Sequence, residues 1–187
     1  MPARNTEELI RQARLKPPAT DFLAQSQDAR HYSGLLIENH LWMDAIAYMS
    51  HAITPRESIW WAWFCARKAL AAKAKPEDTK ALALSEAWIA QPNDENRLAA
   101  RNELDRIPPA SPAHSVLQAI ALTGEFENEM TGEKSPAIPY LANKFVTAAV
   151  INSVYELNSE NPEAVAVEFL HQSLDVAQRI NLWANYS

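Results

Sequence analysis

The sequence predicts an all-α protein, an irregular single-domain bundle of about seven or eight helices around a buried, tryptophan-rich central helix. Residues 59–66 are consecutively apolar and follow a helix start signal. The 187-residue chain has 12 prolines and only 3 glycines; proline is common at helix starts, whereas sheets and hairpins use glycine at their turns. Apolar residues recur at three- and four-residue spacing, and no segment shows the alternation of a strand.

Residues 1–20 are predicted to form an N-terminal arm that carries a short basic helix. Asn5 is placed as the N-cap of a helix over residues 5–16, which has acids in its first turn and bases in its last, as the helix dipole favours. Pro17 and Pro18 end this helix. The arm holds four bases and two acids, although the whole chain has a net charge of −6. We expect a loosely docked arm or, alternatively, a helix that binds a partner.

Residues 21–187 are predicted to form one all-helical domain, which begins with a helical hairpin or a bent pair of helices over residues 20–53. The polar residues 38–40 are the expected joint between the two halves. After this joint, apolar residues recur at helical spacing, so that one face is expected to turn toward the core. These residues are Trp42, Ala45, Ile46, Met49 and Ile53.

The central helix is predicted over residues 55–72, and it contains three of the six tryptophans and the only cysteine. Thr54 is the expected N-cap, Pro55 suits the first helical position, and Glu57 is placed to reach back to the backbone N–H of the cap. The apolar side chains of residues 59–66 point to all sides of a helix, so this helix needs neighbours on most sides. The run is too short to span a bilayer, which takes about 20 residues.

The rest of the chain is predicted to be helical except for short joints and one long loop. Caps, prolines and apolar periodicity predict helices over residues 78–90, 92–107, 113–123, 140–157 and 162–183. Gly124 is expected to adopt the left-handed conformation that ends a helix. Residues 125–139 are acidic and form the longest non-helical candidate, and such loops are often functional or mobile. No repeat of about 34 to 40 residues is strong enough to predict a helical solenoid.

Composition and charge limit the classes of function. Hydrophobic residues at 48% and charged residues at 21% are ordinary for a soluble globular protein. The net charge of −6 removes the attraction that dominates nucleic-acid binding, so we expect no nucleic-acid partner. The N-terminus has no apolar signal region, and no stretch approaches transmembrane length. We therefore expect a cytoplasmic protein without membrane insertion, of undetermined oligomeric state.

The sequence lacks the motifs of common catalytic and metal sites. Glu168 and His171 form the one Glu-x-x-His spacing, whereas a di-iron bundle needs two copies and further glutamates. Cys65 lies in the most apolar stretch, so we expect a buried thiol that acts as a small hydrophobic group and not a nucleophile. No glycine-rich phosphate loop and no Gly-x-Ser-x-Gly occurs. We expect no catalytic residue, no cofactor and no metal.

The candidate structural or interaction residues lie on and around the central helix. They are Arg56, Glu57, Trp60, Trp61, Trp63, Arg67, Glu86, Trp88 and Arg97. Because Arg67 directly follows the apolar run, we expect it to be buried and paired with Glu86, a pair that would fix helix register. The three tryptophans of the central helix either form core or line a cofactor or peptide groove. If they mark a function, we expect it on an uncovered part of Trp61 and its neighbours.

The motif Pro-Arg-Glu-x-x-Trp-Trp-Ala at residues 55–62 resembles that of an uncharacterised family of small bacterial helical proteins. The similarity spans residues 40–150 and also includes Cys65-Ala66-Arg67, Ala87-Trp88 and residues 92–97. Trp63 departs from the smaller residue that is typical of its position. The resemblance implies a location near type VI secretion genes and an accessory, adaptor or chaperone-like role. It brings no catalytic residues.

Three classes of function remain open at this point. The first is a cytoplasmic protein-interaction module with a protein partner, such as an adaptor or chaperone of a type VI-like secretion system. The second is an immunity-type inhibitor of a toxin, and the third is an enzyme with an unrecognised helical site. A deep polar pocket that joins Arg67, Glu86 and a histidine would favour the enzyme. A wide exposed apolar groove would favour the interaction module.

Overall fold

The computed structural model describes residues 5–127, 130–138, 140–158 and 160–186, and nine α-helices lie in these ranges. The helices are α1 Thr6–Ala13, α2 Ala29–Glu38, α3 Trp42–Ala52, α4 Pro55–Leu70, α5 Pro76–Ala90, α6 Asp94–Glu103, α7 Pro112–Ala121, α8 Leu141–Leu157 and α9 Pro162–Arg179. Three 3₁₀ helices lie at Ala19–Gln25, Leu104–Arg106 and Leu182–Asn185. The prediction of an all-α fold is confirmed, with more helices in the described residues than the seven or eight expected.

Helix α1 is docked on the domain through its apolar face. Asn5 caps it as predicted, because the side-chain oxygen accepts a hydrogen bond from the Glu8 N–H at 2.7 Å. The helix ends at Ala13, earlier than predicted, where Arg14 adopts a left-handed conformation with φ of 57°. Leu9 is fully buried and α1 packs against α3, so the described part of the arm is not loosely attached. Residues 1–4 of the arm lie outside the described residues, and the boundary at residue 20 stays a prediction.

Helices α2 and α3 form the predicted hairpin. The chain turns between them at His40, which has a φ of 62° and lies in the polar break where the joint was expected. Asp28 caps α2 by accepting a hydrogen bond from the His31 N–H at 2.7 Å. Asn143 of α8 donates to the Ser50 carbonyl of α3 at 2.6 Å, so the hairpin is tied to the rest of the bundle.

Helix α4 is the predicted buried hub, and it packs against α5, α7, α8 and α9. Trp61 has no exposed surface, and its indole N–H donates to the Phe169 carbonyl of α9 at 2.9 Å. The indole N–H of Trp63 donates to the Leu82 carbonyl of α5 at 2.9 Å. A buried indole needs such an acceptor, so each tryptophan fixes one neighbouring helix as well as filling space.

Cys65 is fully buried beside these tryptophans, as the apolar sequence around it predicts. Burial raises the pKa of the Cys65 thiol well above its ordinary value. The thiolate is the reactive form of cysteine, so this thiol stays protonated and unreactive at neutral pH.

The segment after α7 contains a short hairpin that the sequence did not predict. Strand β1, Phe126–Glu127, pairs antiparallel with β2, Lys134–Ser135. Gly132 lies between them with a φ of 67°, a conformation that glycine adopts without strain. The expected loop at 125–139 is therefore non-helical where described, but the absence of strands was wrong for these four residues. Residues 128–129 and 139 of that loop lie outside the described residues.

Truncation of the two adjacent tryptophans tests the role of α4 as the hub. We expect Trp61→Ala to lower the free energy of unfolding by about 3–5 kcal/mol, because it removes a fully buried ring. Trp60→Ala is the matched control, since Trp60 is half-buried, stacks on Phe64 and makes no indole hydrogen bond in the described structure. Its cost should be clearly smaller in urea unfolding monitored by circular dichroism. Equal costs for the two variants would contradict the hub assignment.

Candidate functional site

An open cleft of about 690 Å³ lies where the start of α4, the end of α5, the start of α6 and the end of α7 meet. Four of the predicted candidates, Arg56, Glu57, Trp88 and Arg97, line it together. The other lining residues are Thr54, Pro55, Pro92, Asn93, Asp94, Thr123 and Gly124. The first part of the Pro-Arg-Glu motif and the residues around Arg97 therefore form one surface, although they are far apart in sequence.

Side-chain hydrogen bonds to backbone carbonyls hold the walls of the cleft together. Arg56 Nε donates to the Ile89 carbonyl at 2.8 Å, which ties the start of α4 to the end of α5. Asn96 Nδ2 donates to the Gln91 carbonyl at 2.9 Å, so the first turn of α6 closes the end of α5. Asn93 caps α6 by accepting a hydrogen bond from the Asn96 N–H at 2.9 Å.

An ion pair between an exposed lysine and a buried carboxylate also joins α5 to α6. Lys80 of α5 donates to the carboxylate of Glu103, at the end of α6, at 2.6 Å, and Arg106 donates to the same carboxylate at 3.0 Å. The side chain of Glu103 is 8% exposed. The hydrogen bond from Lys80 keeps the pKa of Glu103 below its ordinary value, aided by the charge of Arg106. The sequence does not predict this ion pair, because the spacing of charges within each helix does not show which charges of two helices meet.

Arg97 is a buried cation with too few acceptors. Its side chain is 8% exposed, and Nε donates to the Asp94 carboxylate at 2.9 Å. Asp94 itself is 81% exposed. The Nη1 atom of Arg97 is buried and has no acceptor in the described part of the chain. Burying a charged donor without an acceptor is costly, so an orphaned guanidinium nitrogen at a cleft is an unusual feature.

Gly124 is a glycine because the guanidinium of Arg97 lies against its backbone. A Cβ atom at residue 124 would lie 2.7 Å from Arg97 Cζ and 2.8 Å from Cδ, closer than such atoms approach in proteins. Gly124 does not have a positive φ, and Gly132 is the one glycine of the described residues that does. The expected left-handed cap at Gly124 is therefore wrong, and close packing against Arg97 is the physical reason for the glycine.

The start of α4 presents free backbone donors to the cleft. Thr54 is the N-cap residue and Pro55 opens the helix, as predicted. The Thr54 hydroxyl, however, donates to the Glu57 carboxylate and accepts no hydrogen bond from the helix, so the predicted capping hydrogen bond is absent. Pro55 has no N–H, and the N–H groups of Arg56 and Glu57 have no acceptor in the described structure. The first N–H groups of a helix lack partners within it and attract anions. The α4 terminus therefore adds donors to the same surface as Arg97.

The expected buried pair of Arg67 and Glu86 is not present. Both side chains are exposed, and the described residues contain no ion pair between them. The Arg67 guanidinium lies 5.2 Å from the centre of the Trp63 ring, a distance at which cation and ring attract. These residues line a second pocket of about 310 Å³, and no histidine is among its described lining residues. The long arginine side chain reaches water, so it needs no buried carboxylate.

The remaining tryptophans do not line the cleft. Trp61 is wholly buried and offers no uncovered part, whereas its neighbour Trp60 is half-buried, so the expectation of a function on the neighbours of Trp61 stays a prediction. Trp60 packs on Phe64 with ring centres 5.8 Å apart. Trp88, which is 5% exposed, is the tryptophan that contributes a wall of the cleft.

The histidines and acids show no metal-binding arrangement in the described ranges. Glu168, of the Glu-x-x-His spacing, forms an ion pair with Lys68. No group of three or more histidine, cysteine, aspartate or glutamate side chains is placed to hold a metal ion within the described residues. Among the same residues, no helix is both long and apolar enough to cross a membrane.

Comparison with protein families matches residues 32–177 to a family of unknown function, DUF6931. No curated protein and no solved structure matches the chain. The matched range includes every element that forms the cleft. The resemblance to an uncharacterised family is thereby confirmed, while the motif and the secretion setting remain predictions.

Substitution of two glycines tests the packing of Arg97. We expect Gly124→Ala to destabilise the fold by about 1–3 kcal/mol, because the new methyl group overlaps the buried guanidinium. Gly34→Ala is the control, since Gly34 lies inside α2 with open space around it, and alanine there should stabilise by about 0.5–1 kcal/mol. Urea unfolding gives both values.

A double-mutant cycle with Arg97→Ala separates the contact from other effects of the substitution at residue 124. With the long side chain removed, Gly124→Ala should lose most of its cost. An unchanged cost in the Arg97→Ala background would show that something other than Arg97 requires the glycine.

Proposed function

The chain belongs to the DUF6931 family, and we propose that it is a non-enzymatic protein-interaction module that binds its partner at the cleft between α4 and α6. The observation that carries this proposal is the meeting of Arg56, Glu57, Trp88 and Arg97 at one open surface. The surface combines an apolar wall, a buried cation with an unused nitrogen and free helix-terminal N–H groups. Such a mixture of apolar area and directed donors is typical of a binding site.

The chemistry of the cleft favours binding over catalysis. Its described lining contains no histidine, cysteine or lysine that would serve as a base or a nucleophile. Both of its carboxylates are engaged, Glu57 with the Thr54 hydroxyl and Asp94 with Arg97. A nucleophilic or acid–base mechanism requires an activated group within reach of a second group that orients it. The one hydroxyl–carboxylate pair of the described lining is Thr54 with Glu57, and no third side chain in the described structure is bonded to Glu57 to orient it.

The biological setting that we propose is a cytoplasmic accessory, adaptor or chaperone-like role in a bacterial secretion system of the type VI kind. Support comes from the sequence resemblance at residues 55–62, whose first three residues line the cleft. An adaptor needs a surface that holds another protein without altering it, and a cleft on a firmly packed helical body meets that need.

Capture of partners from the native host tests this function. The bait is the full chain as wild type, as Arg56→Glu at the cleft, and as Arg179→Glu, a matched control that exchanges another exposed helical arginine away from the cleft. We expect wild type and Arg179→Glu to capture the same protein, identified by mass spectrometry. With that partner purified, Arg56→Glu should bind about tenfold or more weakly, because it reverses a charge at the interface.

The identity of the captured partner distinguishes the secretion role from an immunity role. A secretion component as the partner supports the proposed setting, whereas a toxin would replace it with an immunity role. No stable partner, or a partner that binds Arg56→Glu as well as wild type, would contradict an interaction function at the cleft.

A further inference from the structure

The guanidinium of Arg97 carries more donors than the chain supplies with acceptors. It has five N–H groups, and in the described structure only Nε is bonded, to Asp94. The side chain is more than nine-tenths buried, so water does not reach Nη1. An acceptor that approached from the cleft would remove this deficit, and it would gain a charge-assisted hydrogen bond.

The start of α4 supplies a second and independent set of donors on the same surface. Helix α4 has 16 residues, so its N-terminus carries the positive end of a full helix dipole. The free N–H groups of Arg56 and Glu57 lie at this end, beside the cleft that Arg97 also lines. Two groups that each lack an acceptor therefore border one volume of about 690 Å³.

We propose that the cleft accepts a carboxylate of the partner protein, held by Arg97 and by the N-terminal N–H groups of α4. The source is an aspartate or glutamate side chain or the C-terminus of the partner. This inference rests on the proposed function and names the group that the cleft recognises.

The charges of the cleft favour a carboxylate over a phosphate group. Arg56 and Arg97 are balanced by Glu57 and Asp94, so the lining has no excess positive charge for a dianion. A single negative charge adds less repulsion against the two resident carboxylates. The planar carboxylate also matches the paired nitrogens of a guanidinium edge.

Asp94 acts as a positioning residue in this arrangement. It occupies Nε and leaves the terminal nitrogens of Arg97 for the incoming group. Gly124, which also lines the cleft, has no side chain and so leaves room for the guanidinium beside its backbone. A carboxylate bound at the terminal nitrogens would draw the guanidinium outward and give Nη1 the acceptor that it lacks.

Selection from random peptides tests the inference and does not require that the partner be identified. The full wild-type chain is panned against two heptapeptide libraries, one with a blocked and one with a free C-terminus, which distinguishes a side-chain carboxylate from a terminal one. Enriched peptides are then labelled, and their Kd is measured by fluorescence anisotropy. We expect selected peptides to share an acidic residue or to require the free C-terminus.

Paired changes on the peptide and on the protein give the decisive comparison. Replacement of the peptide's acid by its amide, or amidation of its C-terminus, should weaken its binding to the wild-type protein at least tenfold. Arg97→Gln should weaken binding of the acidic peptide by a similar factor and make binding insensitive to the amide replacement. Arg179→Gln should leave the affinity and its sensitivity to the amide replacement unchanged. Arg97→Lys, which keeps the charge but loses the paired nitrogens, replaces Arg97→Gln where circular dichroism shows that the latter does not fold.

Different results would overturn the carboxylate inference and the proposed function. Peptides that need Arg56 but no carboxylate would overturn this inference and leave the proposed function standing. Displacement of the peptides by inorganic phosphate at concentrations where acetate has no effect would likewise overturn the carboxylate assignment. Absence of any peptide whose binding depends on Arg56 or Arg97 would overturn both proposals.

Discussion

The structure depends on the enclosure of one helix that is apolar on nearly all sides. Helix α4 satisfies this constraint by packing against four other helices, and its buried tryptophans carry polar N–H groups that must find acceptors. Trp61 finds one on α9 and Trp63 finds one on α5. The tryptophans therefore set the positions of neighbouring helices as well as the hydrophobic content of the core. The position of the proposed binding surface follows from this packing, because the same helix leaves the core at the cleft.

The link between core and cleft explains why the motif at residues 55–62 has two parts with different roles. Pro55, Arg56 and Glu57 lie at the helix start and line the cleft, while Trp61 lies wholly inside. Holding the helix in the core fixes its first turn in space, with two N–H groups free of partners. A binding surface on a rigid element is preorganised, and less affinity is lost to ordering when a partner binds.

Local signals in the sequence predict the helices, and tertiary contacts account for what they miss. Pro55 and the apolar run 59–66 identify α4 and the burial of Cys65, because these depend on nearby residues. The spacing does not show which side of a wholly apolar helix meets solvent, so the exposure of Arg67 was predicted wrongly. The glycine after α7 does mark a constrained position, but the constraint is close packing and not a helix cap, because Arg97 of the preceding helix α6 lies against Gly124. Strands of two residues are too short for any alternation to be read.

Native-state hydrogen exchange is the most direct test of the central claim, that the proposed binding surface is the exposed end of the buried helix α4. We predict that amides of residues 59–66 exchange only through global unfolding, with the same free energy as urea unfolding. The amides of Arg56 and Glu57 should exchange fast and become protected when the partner binds. Exchange of residues 59–66 through local opening, well below the global free energy, would contradict this claim.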